Sequence, residues 1–308
     1  MKDHNKIIES LDIKFIKARH IKVLQPLTIE HFYGVENILI IVNKGQICYT
    51  QDQSEHTTVA GEILFIPGGS PIKITYGTGD SINSHNTAIP DDHWNYLQAT
   101  QETSCETDFD NFSYVTFDAK IFGSVNFFTS LSIPPFVVRG DKHFTDIFKR
   151  ILVENSTTTI GSSRVIQSSV EQLVVEMIRY MLRNNLFLEK PVIHNRYFKD
   201  KRLIKIFDYV NKNLKGNLSN RTLAKVAQVS EDYVGQYFKM LTGINPQDYI
   251  EYQRMEFAVK LLRTTKKSVQ DISKEIGFKD TAYFCRRFKM MFGISASKMR
   301  KREILMSI

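Results

Sequence analysis

The chain has 308 residues, 42% of them hydrophobic and 24% charged, and a formal net charge of +8. That composition belongs to a soluble globular protein of about two domains and excludes collagenous and disordered chains. No apolar run approaches the roughly 18 residues of a membrane helix, and Met1-Lys2-Asp3-His4-Asn5-Lys6 lacks the apolar core of a signal peptide. Cys48, Cys105 and Cys285 are too widely spaced for a disulfide framework or a C-x-x-C motif. A reduced, cytoplasmic protein without membrane attachment is the expectation.

Charge is unevenly spread. Residues 201–308 hold 22 Lys and Arg against 10 Asp and Glu, a balance of +12; the remaining 19 against 23 leave −4 in residues 1–200. All eight histidines precede Asp200. A strongly basic C-terminal part suits phosphate backbones or an anionic lipid surface, or it is a solvated face.

Residues 1–140 read as short strands: Ile13–Ile16, Asn37–Val42, Gln46–Thr50, Ile63–Pro67, Ile72–Tyr76 and Phe112–Phe117, with glycine turns between them. Such spacing suggests a sandwich or small barrel. Phe32, Tyr33, Phe65, Tyr76, Trp94 and Tyr96 either line an apolar pocket for a small-molecule effector or form plain core.

Over 141–186 the period becomes helical. Ile166, Val170, Leu173, Val174, Met177, Ile178 and Met181 make one broad stripe along a helix at 165–185. The stripe packs on the strand domain's own wall or pairs with the same helix of a second chain, giving a homodimer. Residues 187–199 read as a linker.

Residues 200–308 contain a duplication. Phe238-Lys239-Met240-Leu241-Thr242-Gly243-Ile244 recurs as Phe288-Lys289-Met290-Met291-Phe292-Gly293-Ile294, and Leu223 matches Ile272 with one residue fewer between. Each copy reads as helix, tight turn, helix, over about 219–243 and 268–293. Ser230 and Asp280 cap the second helices, Ser268 and Asp271 form a capping box, Gly277 makes a turn, and Gly243 and Gly293 end helices. Tyr233, Val234, Tyr237, Phe238 and Leu241, and Phe284, Phe288 and Met291, are the expected buried faces. Between the copies Asn245 caps a helix running from Pro246 to about Thr264, with Asp248 completing a capping pair. Its 19 residues span roughly 28 Å, near the 34 Å between successive major grooves of duplex DNA.

The pattern Leu223-Ala224-x2-Ala227-x2-Ser230-x2-Tyr233-x4-Phe238-Lys239-x3-Gly243, then Arg254-x3-Ala258-x2-Leu261-Leu262, then Ile272-x4-Gly277-Phe278-x4-Tyr283-Phe284-x2-Arg287-Phe288-Lys289-x3-Gly293 resembles the AraC/XylS family of bacterial transcription regulators. The resemblance covers about the last hundred residues. It implies two helix-turn-helix units joined by a long helix and reading adjacent major grooves of double-stranded DNA, usually to activate a promoter with RNA polymerase as partner. Upstream, Gly61-Glu62-Ile63-Leu64-Phe65-Ile66-Pro67 looks like the cupin-type jelly roll common in this family, and the helix at 165–185 sits where such proteins often dimerise. The fold expected is therefore α+β, with an N-terminal cupin-like barrel, a helical dimerisation segment and a C-terminal all-α domain.

Carried over to this sequence, the base-reading positions of the first unit are Asp232, Gly235 and Gln236; Gln236 is a natural partner for adenine, and Asp232 at best accepts from cytosine. In the second unit they are Thr281, Ala282, Cys285 and Arg286, with Arg286 either forking onto guanine or holding a phosphate. Lys239, Lys279, Arg287 and Lys289 suit phosphate contacts or a solvated face. The family's Ser-Pro before the final helix is Ser295-Ala296 here, so that helix start is expected to be less fixed.

A metal-dependent cupin enzyme is the main alternative. His31, His56, His85 and His93 contain no His-x-His pair; His85 and His93 flank a loop bearing Asp91 and Asp92, and neither Cys48 nor Cys105 has an evident base. No enzyme activity, metal or cofactor is expected. An architectural DNA-binding protein is the third reading, against which stand the 200 residues preceding the basic part.

Overall fold

A computed structural model describes residues 8–9, 11–32, 34–51, 54–69, 71–84, 96–100, 108–121, 125–131, 133–157, 159–186, 200–242, 245–292 and 295–300. These residues divide into two compact units, 13–119 with 131–186, and 8–12 and 120–130 with 200–300. The expected linker, 187–199, lies outside the described residues.

The first unit is built on two sheets. Its strands are β1 (Leu11–Val23), β2 (Leu27–Phe32), β3 (Asn37–Lys44), β4 (Gln46–Gln51), β5 (Ser54–Val59), β6 (Ile63–Ile66), β7 (Ile72–Tyr76), β8 (Ile82–Ser84), β9 (Leu97–Thr100), β10 (Asn111–Ile121) and β12 (Phe136–Val138); β11 (Val125–Asn126) folds back on the end of β10. One sheet runs β12-β6-β3-β10-β1-β9 and the other β5-β4-β7-β2-β8. Pairs such as β3–β10 and β4–β7 are antiparallel, and β2–β8 is parallel.

Alternation along the strands explains the layering. Ile38, Ile40, Val42, Leu64, Ile66 and Phe112 of the first sheet share one buried cluster with Leu27, Ile29, Phe32, Ile47, Tyr49, Ile72, Ile74 and Tyr76 of the second. β3 is buried on its other side too, through Leu39 and Ile41. A helical hairpin completes the unit: α2 (Lys142–Ser156) and α3 (Ser162–Arg183), preceded in the chain by the short α1 (Phe127–Ser130). Asp141 caps α2 by accepting from the Phe144 amide and takes the Arg183 guanidinium at 2.6 Å. The hairpin docks on β1, where Asn155 donates to the Ala18 carbonyl and Gln167 donates to the Ile13 carbonyl while accepting from the Phe15 amide.

That docking settles where the helical stripe goes. Ile166, Val170, Leu173, Val174, Met177, Ile178 and Met181 are all buried within their own chain, beside Phe144, Phe148 and Ile151 of α2. These side chains form part of the core of the first unit.

The second unit contains α4 (Lys201–Lys212), α5 (Asn220–Ala227), α6 (Glu231–Thr242), α7 (Pro246–Thr264), α8 (Val269–Glu275) and α9 (Thr281–Phe292). Local chemistry sets the boundaries. Asp200 caps α4 and hydrogen bonds Arg202, which holds its carboxyl at about 2. Ser219 and Ser268 cap α5 and α8, and Asp280 accepts from the Ala282 amide at the start of α9. Asn245 stands at the N-cap of α7 as expected, but its amide donates to Asp248 (3.0 Å) and caps no backbone N–H. Residues 296–300 are helical, and Ser295 caps their start by accepting from the Lys298 amide.

Candidate nucleic-acid interface

Each helix-turn-helix buries one face of its second helix. On α6, Val234, Tyr237 and Phe238 are buried with Leu203, Phe207, Leu223 and Tyr249. On α9, Phe284, Phe288 and Phe292 form a ladder with ring centroids 5.5 and 4.4 Å apart. Two expected core residues sit elsewhere. Tyr233 is exposed, because one residue before Val234 is already a third of a helical turn off the buried stripe, and Met291 is half-buried beside Phe292. Gly243, Gly293 and the Leu241 side chain lie outside the described residues.

The opposite faces are the candidate surface. Asp232, Gln236 and Lys239 of α6 are exposed, as are Ala282, Arg286 and Lys289 of α9. Arg286, Lys289, Lys239 and Lys279 project without a partner among the described residues. Gln236 and Arg286 are equivalents, 50 positions apart, and each stands at the centre of its outward face.

Three expected site residues are held back from that surface. Arg287 does not reach out for phosphate: its Nε and Nη2 donate to Glu251 of α7 at 2.5 and 2.9 Å. The pair keeps its guanidinium charged and committed. Thr281 opens α9 with its hydroxyl 2.9 Å from buried Ser273 Oγ, which ties α8 to α9. Cys285 is half-buried at the edge of the face, below Arg286.

The long helix holds the two units together through residues that motif reading did not single out for this role. Arg254 donates from Nε to the Leu214 carbonyl and from Nη2 to the Gly216 carbonyl, both at 2.9 Å. The same guanidinium lies against the turn of the second unit, where a Cβ on Gly277 would come within 2.9 Å of Arg254 Nη2 and of the Leu214 carbonyl. Gly277 also has φ +88°, so glycine is required there twice over. Gln247 donates to the Leu218 carbonyl and Asn220, and Glu275 pairs with Lys215 (3.2 Å) and Lys267 (2.5 Å). The sequence signal was present in the repeat: Arg254 follows the cap of a helix whose apolar residues face both ways.

Residues 223–302 match the helix-turn-helix domain family. The Lactose operon transcription activator of Staphylococcus xylosus is 24% identical over 177 residues, 52% of this chain and 63% of that protein. The Arabinose operon regulatory protein of Escherichia coli (strain K12) is 30% identical over 161 residues, 51% of each chain. Residues 223–302 thus form an AraC-type helix-turn-helix domain. The chain spans about half to two thirds of the length of these two relatives. Among solved structures, ToxT from Vibrio cholerae O395 superposes with a TM-score of 0.51 over 96% of this chain and 98% of that one, at 10% identity, a likeness of fold. A mixed architecture of N-terminal, largely antiparallel sheets and a C-terminal helix-turn-helix domain is thus common to both.

The expected effector residues scatter. Phe32 and Tyr76 belong to the cluster between the sheets, with Tyr76 stacked on Phe112 at 4.8 Å. Phe65 points to the other side of its sheet and meets Phe136 at 5.1 Å, because β6 is buried on both faces and its odd positions turn away from the second sheet. Tyr96 is half-buried against the cluster, and Tyr33 and Trp94 lie outside the described residues. No group of three His, Cys, Asp or Glu able to hold a metal occurs among the described residues; His56 stacks on Tyr49, and His85, His93 and Cys105 lie outside them. No described helix is long and apolar enough to cross a membrane.

Proposed function

We propose that this chain is an AraC-type, sequence-specific DNA-binding transcription regulator whose second helix-turn-helix carries most of the sequence choice. One observation carries the reading. The two equivalent outward faces differ at their centres: Arg286 stands free on α9, while α6 offers Gln236 with Gly235 and Asp232 beside it. A guanidinium forking onto guanine discriminates by about 1–3 kcal/mol, whereas glycine has no side chain to read with and aspartate is repelled by phosphate. One relative is named as a lactose operon transcription activator, which supports promoter activation; RNA polymerase as partner and a cytoplasmic location belong to the same proposal. The two-sheet unit is the regulatory module in this reading, a cupin-like jelly roll that answers to a small molecule.

Binding-site selection on variants tests the assignment. Arg286→Ala is expected to relax preference at one base pair and leave nonspecific binding nearly unchanged. Lys289→Ala is expected to weaken binding to every sequence and to flatten the salt slope by about one unit; the parent slope is about −5 if six phosphates are contacted. Retained preference in Arg286→Ala together with lost preference in Gln236→Ala reverses the roles of the units. A flat salt response sinks the DNA reading.

A further inference from the structure

The two reading helices expose the same apolar pair at equivalent positions. Tyr233 and Met240 of α6 are 43% and 61% exposed, and Tyr283 and Met290 of α9 are 44% and 66% exposed. Of nine large apolar side chains this exposed among the described residues, these are four. A single exposed methionine needs no explanation. Recurrence at matching places on both faces does.

Helical geometry places the pairs. At 3.6 residues per turn, Tyr and Met fall about 40–60° to one side of Gln236 or Arg286, and Lys239 or Lys289 falls about 60° to the other. Each reading face therefore has a polar centre, a cationic flank and an apolar flank. The flanks are seated. The Tyr233 ring lies against buried Tyr237 (5.7 Å between centroids) and the Tyr283 ring against Phe278 (6.2 Å). The Met290 sulfur lies 3.9 Å from Arg287 Nη1, which Glu251 immobilises. Groups held this way lose less freedom on binding.

We propose that the flanks Tyr233–Met240 and Tyr283–Met290 read thymine C5-methyl groups in the major groove. The inference rests on the DNA-reading function above and adds its apolar component. The unpartnered lysine on the opposite flank fits phosphate, which turns the whole face, methionine included, toward a duplex. Thymine alone among the four bases presents a methyl there, and a methionine tip is polarisable and adaptable enough to cover it. Each unit then specifies its half of the site through one polar contact and one methyl contact.

The test uses the full chain. A site is selected from randomised duplexes, and each of its thymines is replaced singly by deoxyuridine, which removes only the methyl. The parent protein is expected to lose affinity roughly fourfold at one thymine or more under each unit, the worth of about one buried methyl group. Met290→Ala should be indifferent to the replacement that harms the parent under the second unit, Met240→Ala likewise under the first, and Met290→Leu should keep the response. Arg286→Ala should also keep it while preference changes at another base pair. A parent that binds its selected site and ignores every replacement overturns the proposal while DNA reading stands. So does a response that persists undiminished in Met290→Ala and Tyr283→Ala. Failure to select any site overturns the DNA reading itself, and this proposal with it.

Discussion

The Arg287 guanidinium meets the Glu251 carboxylate through two parallel hydrogen bonds, tying α9 to α7. In the repeat's own registers, 49 positions as between Ser219 and Ser268 and 50 as between Phe238 and Phe288, Glu251 is the counterpart of Arg202 and Arg287 that of Tyr237. In the first unit that junction is filled by the Arg202 guanidinium 4.9 Å over the Tyr237 ring. One helix crossing is thus built twice, once as a cation over an aromatic ring and once as an ion pair, with the cation moved to the other helix. Glu251→Ala should destabilise the basic unit by about 1 kcal/mol, the level of a well-formed but partly solvated pair. Urea titration of parent and variant measures it, and no shift in midpoint would make the fork decorative.

The turns of the two units invite a second comparison. Gln228 ends α5 with φ +56°, where the second copy has Gly277 at φ +88°. A non-glycine residue pays a steric penalty in that conformation, so Gln228→Gly should raise stability by about 0.5–1 kcal/mol, read as a higher melting temperature. Gly277→Ala should do the opposite and more strongly, since its Cβ meets Arg254 and the Leu214 carbonyl. Equal, small effects from both changes would contradict this account.

Leu173 is fully buried between α3 and its surroundings. Leu173→Ala should cost roughly 2–5 kcal/mol, the range for a truncated core leucine. Chemical denaturation checks the loss. A variant of parental stability whose oligomeric state alone changes would return the stripe to an interface role.

His20 gives the first unit a pH dependence. Its Nδ1 pairs with Ser113 Oγ at 2.7 Å, Asn43 donates to the same oxygen, and burial holds the imidazole below its ordinary value near 6.5. The unfolded chain binds the proton more readily, so stability is intact above about pH 6.5 and declines as pH falls toward the folded value. His20→Gln should flatten that limb of a stability-versus-pH curve between pH 7.5 and 5.5. An unchanged limb would place the titration elsewhere.

How much of this was legible beforehand depended on how local the cause was. Ser268, Gly277, Asp280 and Pro246 act on the backbone beside them, and the duplication marked where the helices of each copy begin and end. β5 escaped because Ser54–Val59 is an edge strand, exposed but for Thr58 and Cβ alternation has nothing apolar to mark. The place of Phe65 was not legible because Ile63–Ile66 is buried on both faces, and an unbroken apolar run does not say which side meets the second sheet. Arg287 looked like a neighbour of Arg286; only its equivalence to buried Tyr237 marks it as an inward position, and its acceptor is 36 residues away.

The clamp that Arg254 makes with the Leu214 and Gly216 carbonyls reaches beyond the protein. A dimer on a flexible tether can follow half-sites that drift apart, but two readers bolted to one 19-residue rod behave as a fixed caliper. Each base pair inserted between their targets turns the far one by roughly 35° around the duplex axis. Under the proposed reading, an operator for this chain is constrained in phase as well as in letters, and its spacer will tolerate changes of base far better than changes of length.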